Sequence, residues 1–119
     1  MNRRKERLEH ELMIVISEIL IRDIRDPRIG FVTVNGVKLN SDLKEANVFV
    51  SVYDGEQTIK EKSLEGLKSA TKHIQELVAR RIKIKNIPHI RFTLDETIEK
   101  AMKLDKLLDE LSKDTKDIE

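Results

Sequence analysis

Between residues 68 and 91 the chain carries seven cations, Lys68, Lys72, Arg80, Arg81, Lys83, Lys85 and Arg91, against a single acid, Glu76. Positive charge gathered without carboxylates suits a phosphate backbone, because ammonium and guanidinium groups release condensed counterions and donate hydrogen bonds to phosphate oxygens. The candidate phosphate ligands are Lys68, Lys72, Arg80, Lys83, Lys85 and Arg91, with Arg3, Arg4, Arg25 and Arg28 extending the footprint. A lysine-rich helical face that is simply solvated is the competing explanation. The lack of interleaved acids favours binding.

Other chemistries find no comparable grouping. His10, His73 and His89 fall on different elements, and Glu6 with His10 is an isolated helical pair, short of the three or four ligands a metal site needs. No serine sits in a strand-turn-helix elbow, and glycine occurs only at Gly30, Gly36, Gly55 and Gly66, so no phosphate-cradling loop or dinucleotide fingerprint can be written. Cysteine is absent, which removes disulfides, thiolate nucleophiles and sulfur-bound zinc, and fits a reducing cytosol. Aromatics are only 3% of residues, so base stacking is not the main binding device. The expectation is a protein that is not an enzyme, with no metal, no cofactor and no small-molecule substrate.

A chain of 119 residues has room for one modest core, and with 38% charged residues that core must be built from Ile, Leu and Val. The net charge of +1 conceals an asymmetry. Residues 1–95 hold 18 basic and 14 acidic side chains, a balance of +4, whereas residues 96–119 hold 5 and 8, a balance of −3. Met1 to Arg7 is basic, but the run behind it is broken by Glu9, Glu11 and Glu18, so neither a signal peptide nor a membrane span is expected.

The elements that would position the cations follow from periodicity. Leu8, Leu12, Val15, Ile16, Ile19 and Leu20 recur at helical intervals and predict a helix from Asn2 to Ile24, stopped by Asp26-Pro27. Four cations at its start oppose the helix dipole, which an external anionic partner or a ragged solvated terminus would explain. Gly30 leads into a strand over Phe31–Leu39, where Gly36 marks a bulge or a close backbone approach. Ala46, Val48, Val50 and Val52 alternate with polar or exposed positions in a second strand ending at Tyr53, and Asn40-Ser41-Asp42-Leu43-Lys44 between them suits an antiparallel hairpin. After Asp54-Gly55, a stripe of Leu64, Leu67, Ala70, Ile74, Leu77 and Val78 predicts one helix, or two joined by a kink, with Lys68, Lys72, Arg80 and Lys83 on the opposite side. Arg81 falls on the apolar stripe, so the helix ends near it or its stem reaches outward. Ile87-Pro88 closes this element, and Ile90, Phe92 and Leu94 form a third strand. Residues 96–119 read as a C-terminal helix that frays at Ser112 into a partly disordered acidic tail.

The hairpin Asn40-Ser41-Asp42-Leu43-Lys44-Glu45-Ala46-Asn47-Val48-Phe49-Val50-Ser51 resembles that of the ribosome-binding factor A family. Arg25-Asp26-Pro27-Arg28 with Gly30 resembles that family's turn from first helix to first strand, and Ile87-Pro88 before Ile90 and Phe92 is similar to its close. The resemblance spans Arg3 to Glu99. It implies an α+β fold of the type II KH-like class, αββααβ, with a three-stranded sheet, helices packed on one face and a C-terminal tail helix. Residues 1–95 would be the RNA-binding domain, and residues 96–119 the helix and tail. The family's alanine, any residue, glycine junction between two helices matches Ala70-Thr71-Lys72 here, with lysine where the glycine would stand.

The resemblance also implies a non-enzymatic, cytoplasmic, bacterial assembly factor that acts as a monomer. Its partners would be the immature small ribosomal subunit and its ribosomal RNA, it would assist late rRNA processing and subunit maturation, and it would support growth in the cold. No membrane partner is implied. The alternative is a protein-interaction module that uses the hairpin and tail helix, with incidental RNA affinity.

Overall fold

The computed structural model describes residues 3–29, 31–52 and 56–118. Its elements run α1 (Arg3–Arg22), β1 (Val32–Leu39), β2 (Glu45–Val52), α2 (Gln57–Arg81), β3 (His89–Leu94) and α3 (Thr97–Ile118). Asn2, Gly30, Tyr53 and the Asp54-Gly55 turn lie outside the described residues.

The strands form one sheet in the order β1-β2-β3, with β1 antiparallel to β2 and β3 parallel to it. The hairpin expected from the sequence is present, and side chains close its turn. Asn40 Oδ1 accepts the N–H groups of Lys44 and Glu45, each at 3.0 Å, and Asp42 Oδ1 also accepts Lys44 N–H at 3.1 Å. These bonds hold Leu43 at φ 60°, a left-handed conformation unfavourable for a leucine.

The register shifts between Val34 and Gly36, leaving Asn35 as the extra residue of a bulge. A Cβ at Gly36 would meet nothing within 4 Å, so this glycine serves the bulge and not a close approach.

Burial alternates along β2, where Ala46, Val48, Val50 and Val52 face the helices. Ala46, Val48 and Val50 meet Leu12, Ile16 and Ile19 of α1, Leu67, Ile74 and Val78 of α2, and Ile90 and Phe92 of β3 in one largely aliphatic core. The helix layer covers this single face, as the α+β reading requires.

The segment read as one helix or two is a single helix of 25 residues. The helix runs without a break through Ala70-Thr71-Lys72, where no glycine favours positive φ, even though Thr71 Oγ1 donates to Leu67 O at 2.9 Å, a bond that competes with the helix's own ladder. The helix does end at Arg81, whose guanidinium pairs with Glu18 of α1. The C-terminal helix continues to Ile118, past the Ser112 position where fraying was expected; the sequence there contains neither Gly nor Pro to break it.

Candidate nucleic-acid interface

Every proposed cation among Arg3, Arg4, Arg25, Arg28, Lys68, Lys72, Arg80, Lys83, Lys85 and Arg91 is exposed. Geometry divides them into groups that their sequence positions do not reveal.

Lys68 and Arg91 come together. Lys68 leaves α2 beside Thr71, and Arg91 leaves the outer strand β3, so the two border a shallow cleft of about 250 Å³ with Ile90 and Phe92. Gln75 holds the two elements together, because its Oε1 accepts Ile90 N–H at 3.0 Å on the strand's unpaired edge. The cleft therefore has a cation on each bank. Lys72 follows Lys68 by one turn on the same exposed side of α2.

Arg4 and Lys85 also come together, far apart as they are in sequence. A larger cleft of about 670 Å³ lies where the start of α1, the β1–β2 turn and the segment after α2 converge. Arg4, Arg7, Lys44 and Lys85 supply its cations, Leu8, Leu43, Ile84 and Ile87 its apolar lining, and Glu11, Asp42 and Asn86 the rest. Arg7 and Lys44 were missed as candidates. Arg7 stands one helical turn from Arg4, a signal available in the sequence, whereas Lys44 joins the site only through the folded turn. Lys83 sits next to this cleft in sequence and Arg80 on the last turn of α2, both exposed, without a lining role in either cleft.

Arg28 differs from the other cations. Its Nε and Nη2 donate to both oxygens of Asp26 at 3.1 and 2.7 Å, and its backbone N–H adds a bond of 2.9 Å to the same carboxylate. The side-chain bond from Arg28, followed by its backbone N–H, holds the Asp26 carboxyl below its ordinary value, and the same contact raises the guanidinium. A phosphate would compete with that carboxylate for Arg28. Among the described residues no such ion pair engages Lys68, Lys72, Arg80, Lys83, Lys85 or Arg91.

Exposed cations in this arrangement can meet a polyanion. Among the described residues no group of three or more His, Asp or Glu side chains is arranged to hold a metal ion. No helix of the described residues is long and apolar enough to cross a membrane.

The model of one protein family, Ribosome-binding factor A, matches residues 4–108. The chain belongs to the ribosome-binding factor A family. The family member of Natranaerobius thermophilus is 43% identical over 109 residues, covering 92% of this chain and 82% of that protein. The crystal structure of ribosome-binding factor A from Thermus thermophilus superposes with a TM-score of 0.67 at 29% identity, covering 76% of this chain and 93% of that one. A second Thermus thermophilus family structure, a homology model fitted into the cryo-EM map of a complex with the 30S subunit, has a TM-score of 0.63 at 27% identity over 75% of this chain and 92% of that one. Membership in the ribosome-binding factor A family agrees with the hairpin and turn residues that first suggested it.

Proposed function

We propose that this chain binds the immature small ribosomal subunit as a non-enzymatic assembly factor and assists late rRNA processing and subunit maturation. It does so by holding ribosomal RNA through phosphates and shape. The observation carrying this reading is the set of exposed cations on α2, β3 and the segment between them, Lys68, Lys72, Arg80, Lys83, Lys85 and Arg91, none in an ion pair among the described residues. The 30S complex of the Thermus relative supports the same choice of partner.

Arg3, Arg4 and Arg25 extend the footprint, and Arg28 joins only by exchanging Asp26 for a phosphate. Residues 1–95 act as the RNA-binding body and residues 96–119 as an acidic appendage. With so few aromatics, recognition of folded RNA by its backbone is favoured over stacking of single-stranded bases. A cytoplasmic location and a role in cold growth belong to this same proposal.

Titrating salt against binding of the chain to purified immature small subunits tests it. The logarithm of affinity should fall steeply with the logarithm of salt, and Lys72→Ala or Lys85→Ala should each reduce the slope by about one unit. Salt-independent binding would overturn it. The exposed leucines of α3 favour a second reading, a protein-interaction module. Complexes that survive nuclease digestion would point to that one.

A further inference from the structure

The helices cover one face of the sheet, and the other face is open. Glu45, Asn47, Phe49 and Ser51 alternate with the core positions of β2 and lie on that open side, with Phe49 half-buried on the middle strand. Strand register sets its neighbours. Gly36 of β1 and Thr93 of β3 flank Phe49 in one row, and Lys38 and Arg91 flank Asn47 in the next row toward the hairpin turn.

Gly36 brings no side chain, and a Cβ there would meet nothing within 4 Å, so the flank of Phe49 toward β1 is vacant. A shallow hollow of about 240 Å³ lies there, bordered by Phe49, Gly36, Lys38 and, from α1, His10 and Met13. On the other flank the Thr93 hydroxyl donates to Asn47 Oδ1 at 2.7 Å. That bond fixes the Asn47 amide and leaves its Nδ2 donor without a partner among the described residues. Lys38 and Arg91 are both exposed and stand two strands apart, about 10 Å. Arg91 also banks the cleft beside Lys68, so the cationic footprint of α2 and β3 continues over the edge strand onto this face.

We propose that the open face of the sheet holds one unpaired nucleotide of RNA. Its base stacks on Phe49 in the hollow, the Asn47 amide bonds the base edge, and Lys38 and Arg91 take the phosphates on either side. The site rests on the RNA-binding reading and adds to it a means of telling an unpaired base from a duplex. A ring, a free amide donor and flanking cations answer the three parts of a nucleotide: its π-face, its hydrogen-bonding edge and its charge. The acids of this face stand outside the two rows concerned. Glu45 is one row nearer the hairpin turn, opposite His89, and Asp95 is at the other end, its oxygens held by Thr97 and Asn35. Glu9, on the wall of the hollow, is engaged by Leu39 N–H at 2.7 Å. A protein partner fits this face less well, because Asn, Ser and Thr surround the ring where a protein interface has an apolar centre.

The chain contains no tryptophan, so Phe49→Trp places a single fluorescent reporter in the hollow. The full chain with this change is titrated with a short RNA duplex carrying a bulge of unpaired adenosines, and with a fully paired duplex of the same length. Tryptophan emission should be quenched by the bulged duplex and not by the paired one. Phe49→Leu keeps apolar cover beside Gly36 but has no ring. It should weaken binding of the bulged duplex about tenfold and leave the paired one unaffected, whereas a ring that only shields the strand would change stability and not this discrimination. Lys38→Ala should weaken the bulged duplex and lower its salt slope by a little under one unit. Emission indifferent to saturating bulged RNA, or a leucine variant that still prefers the bulge as the unaltered chain does, would overturn the proposal. So would quenching by RNA-free small-subunit proteins alone, which would give the face to a protein. If Lys72→Ala and Lys85→Ala weaken binding while both Phe49 variants bind and discriminate unchanged, the phosphate footprint stands and this site falls. If the bulged duplex quenches the reporter while immature subunits go unbound, the nucleotide site stands and the ribosomal reading falls.

Discussion

Gly66 lies inside α2 where the loop leaving α1 crosses the helix. A Cβ there would stand 2.7 Å from Ile29 Cγ1 and 3.4 Å from Arg28 Cβ. Ser63 fixes the same crossing, donating its hydroxyl to Arg28 O at 3.2 Å. Helix propensity alone favours alanine over glycine by about 1 kcal/mol, whereas forcing extra atoms into a packed contact costs about 1–3 kcal/mol. Valine forfeits much of the propensity gain and adds two methyl groups, so Gly66→Val should lower stability by about 2–3 kcal/mol in chemical denaturation. An unchanged midpoint would mean that the loop yields. Asn40 presents the opposite case, since its partners lie within five residues. Asn40→Ala removes the bonds that keep Leu43 left-handed and should cost about 1–2 kcal/mol by the same measurement. The turn chemistry around Asn40 was legible because it is local. The reason for Gly66 was not, because it resides in a loop distant in sequence.

Between elements, the main question is whether α2 needs a kink to hold RNA. The apolar stripe from Leu64 to Val78 continues unbroken through Ala70-Thr71-Lys72, and lysine occupies the position where flexibility would be greatest with glycine. Lys72→Gly and Lys72→Ala remove the same cation, but glycine also costs about 1 kcal/mol of helix stability. If a straight helix suffices, both variants should reduce the salt slope of RNA binding by about one unit, with only the glycine variant losing thermal stability. Tighter binding by Lys72→Gly would show that a bend is wanted. Strand alternation made β1, β2 and β3 readable, and Gly36 announced its bulge. The parallel pairing of β3 with β2 was not readable from alternation, which is the same for either strand direction. One helix or two was likewise undecided, because an apolar stripe at helical spacing passes equally through a straight helix and a gentle kink.

Across the whole molecule, the cationic body and the acidic helix meet at Asp95. Its Oδ1 accepts Thr97 N–H, its Oδ2 accepts a bond from Asn35 Nδ2 of the bulge at 3.1 Å, and its own N–H donates to Val50 O at 2.7 Å. The Thr97 hydroxyl, then the Thr97 N–H and Asn35, hold the Asp95 carboxyl below its ordinary value. A folded-state value below the unfolded one means the stabilisation is present at neutral pH and is lost as pH falls below about 4. Acid titration followed by NMR should therefore release the Thr97 and Asn35 signals together, and Asp95→Asn should abolish that transition. Charge asymmetry was visible in the composition, but the convergence of Arg4, Arg7, Lys44 and Lys85 was not, since three separate elements build their cleft. Because the side chains of α3 from Lys100 to Ser112 are exposed, a chain ending at Thr97 keeps the core and the Asp95 contacts and should match the full chain in stability to within about 0.5 kcal/mol. The same truncation removes most of a segment whose balance is −3 from a body whose balance is +4. The RNA phosphates should then meet less like charge, so affinity for small-subunit rRNA should rise severalfold at low salt. The gain should fade at about 1 M salt, where screening shortens to about 3 Å. A truncated chain that binds more weakly at low salt would instead place α3 among the elements that hold the RNA.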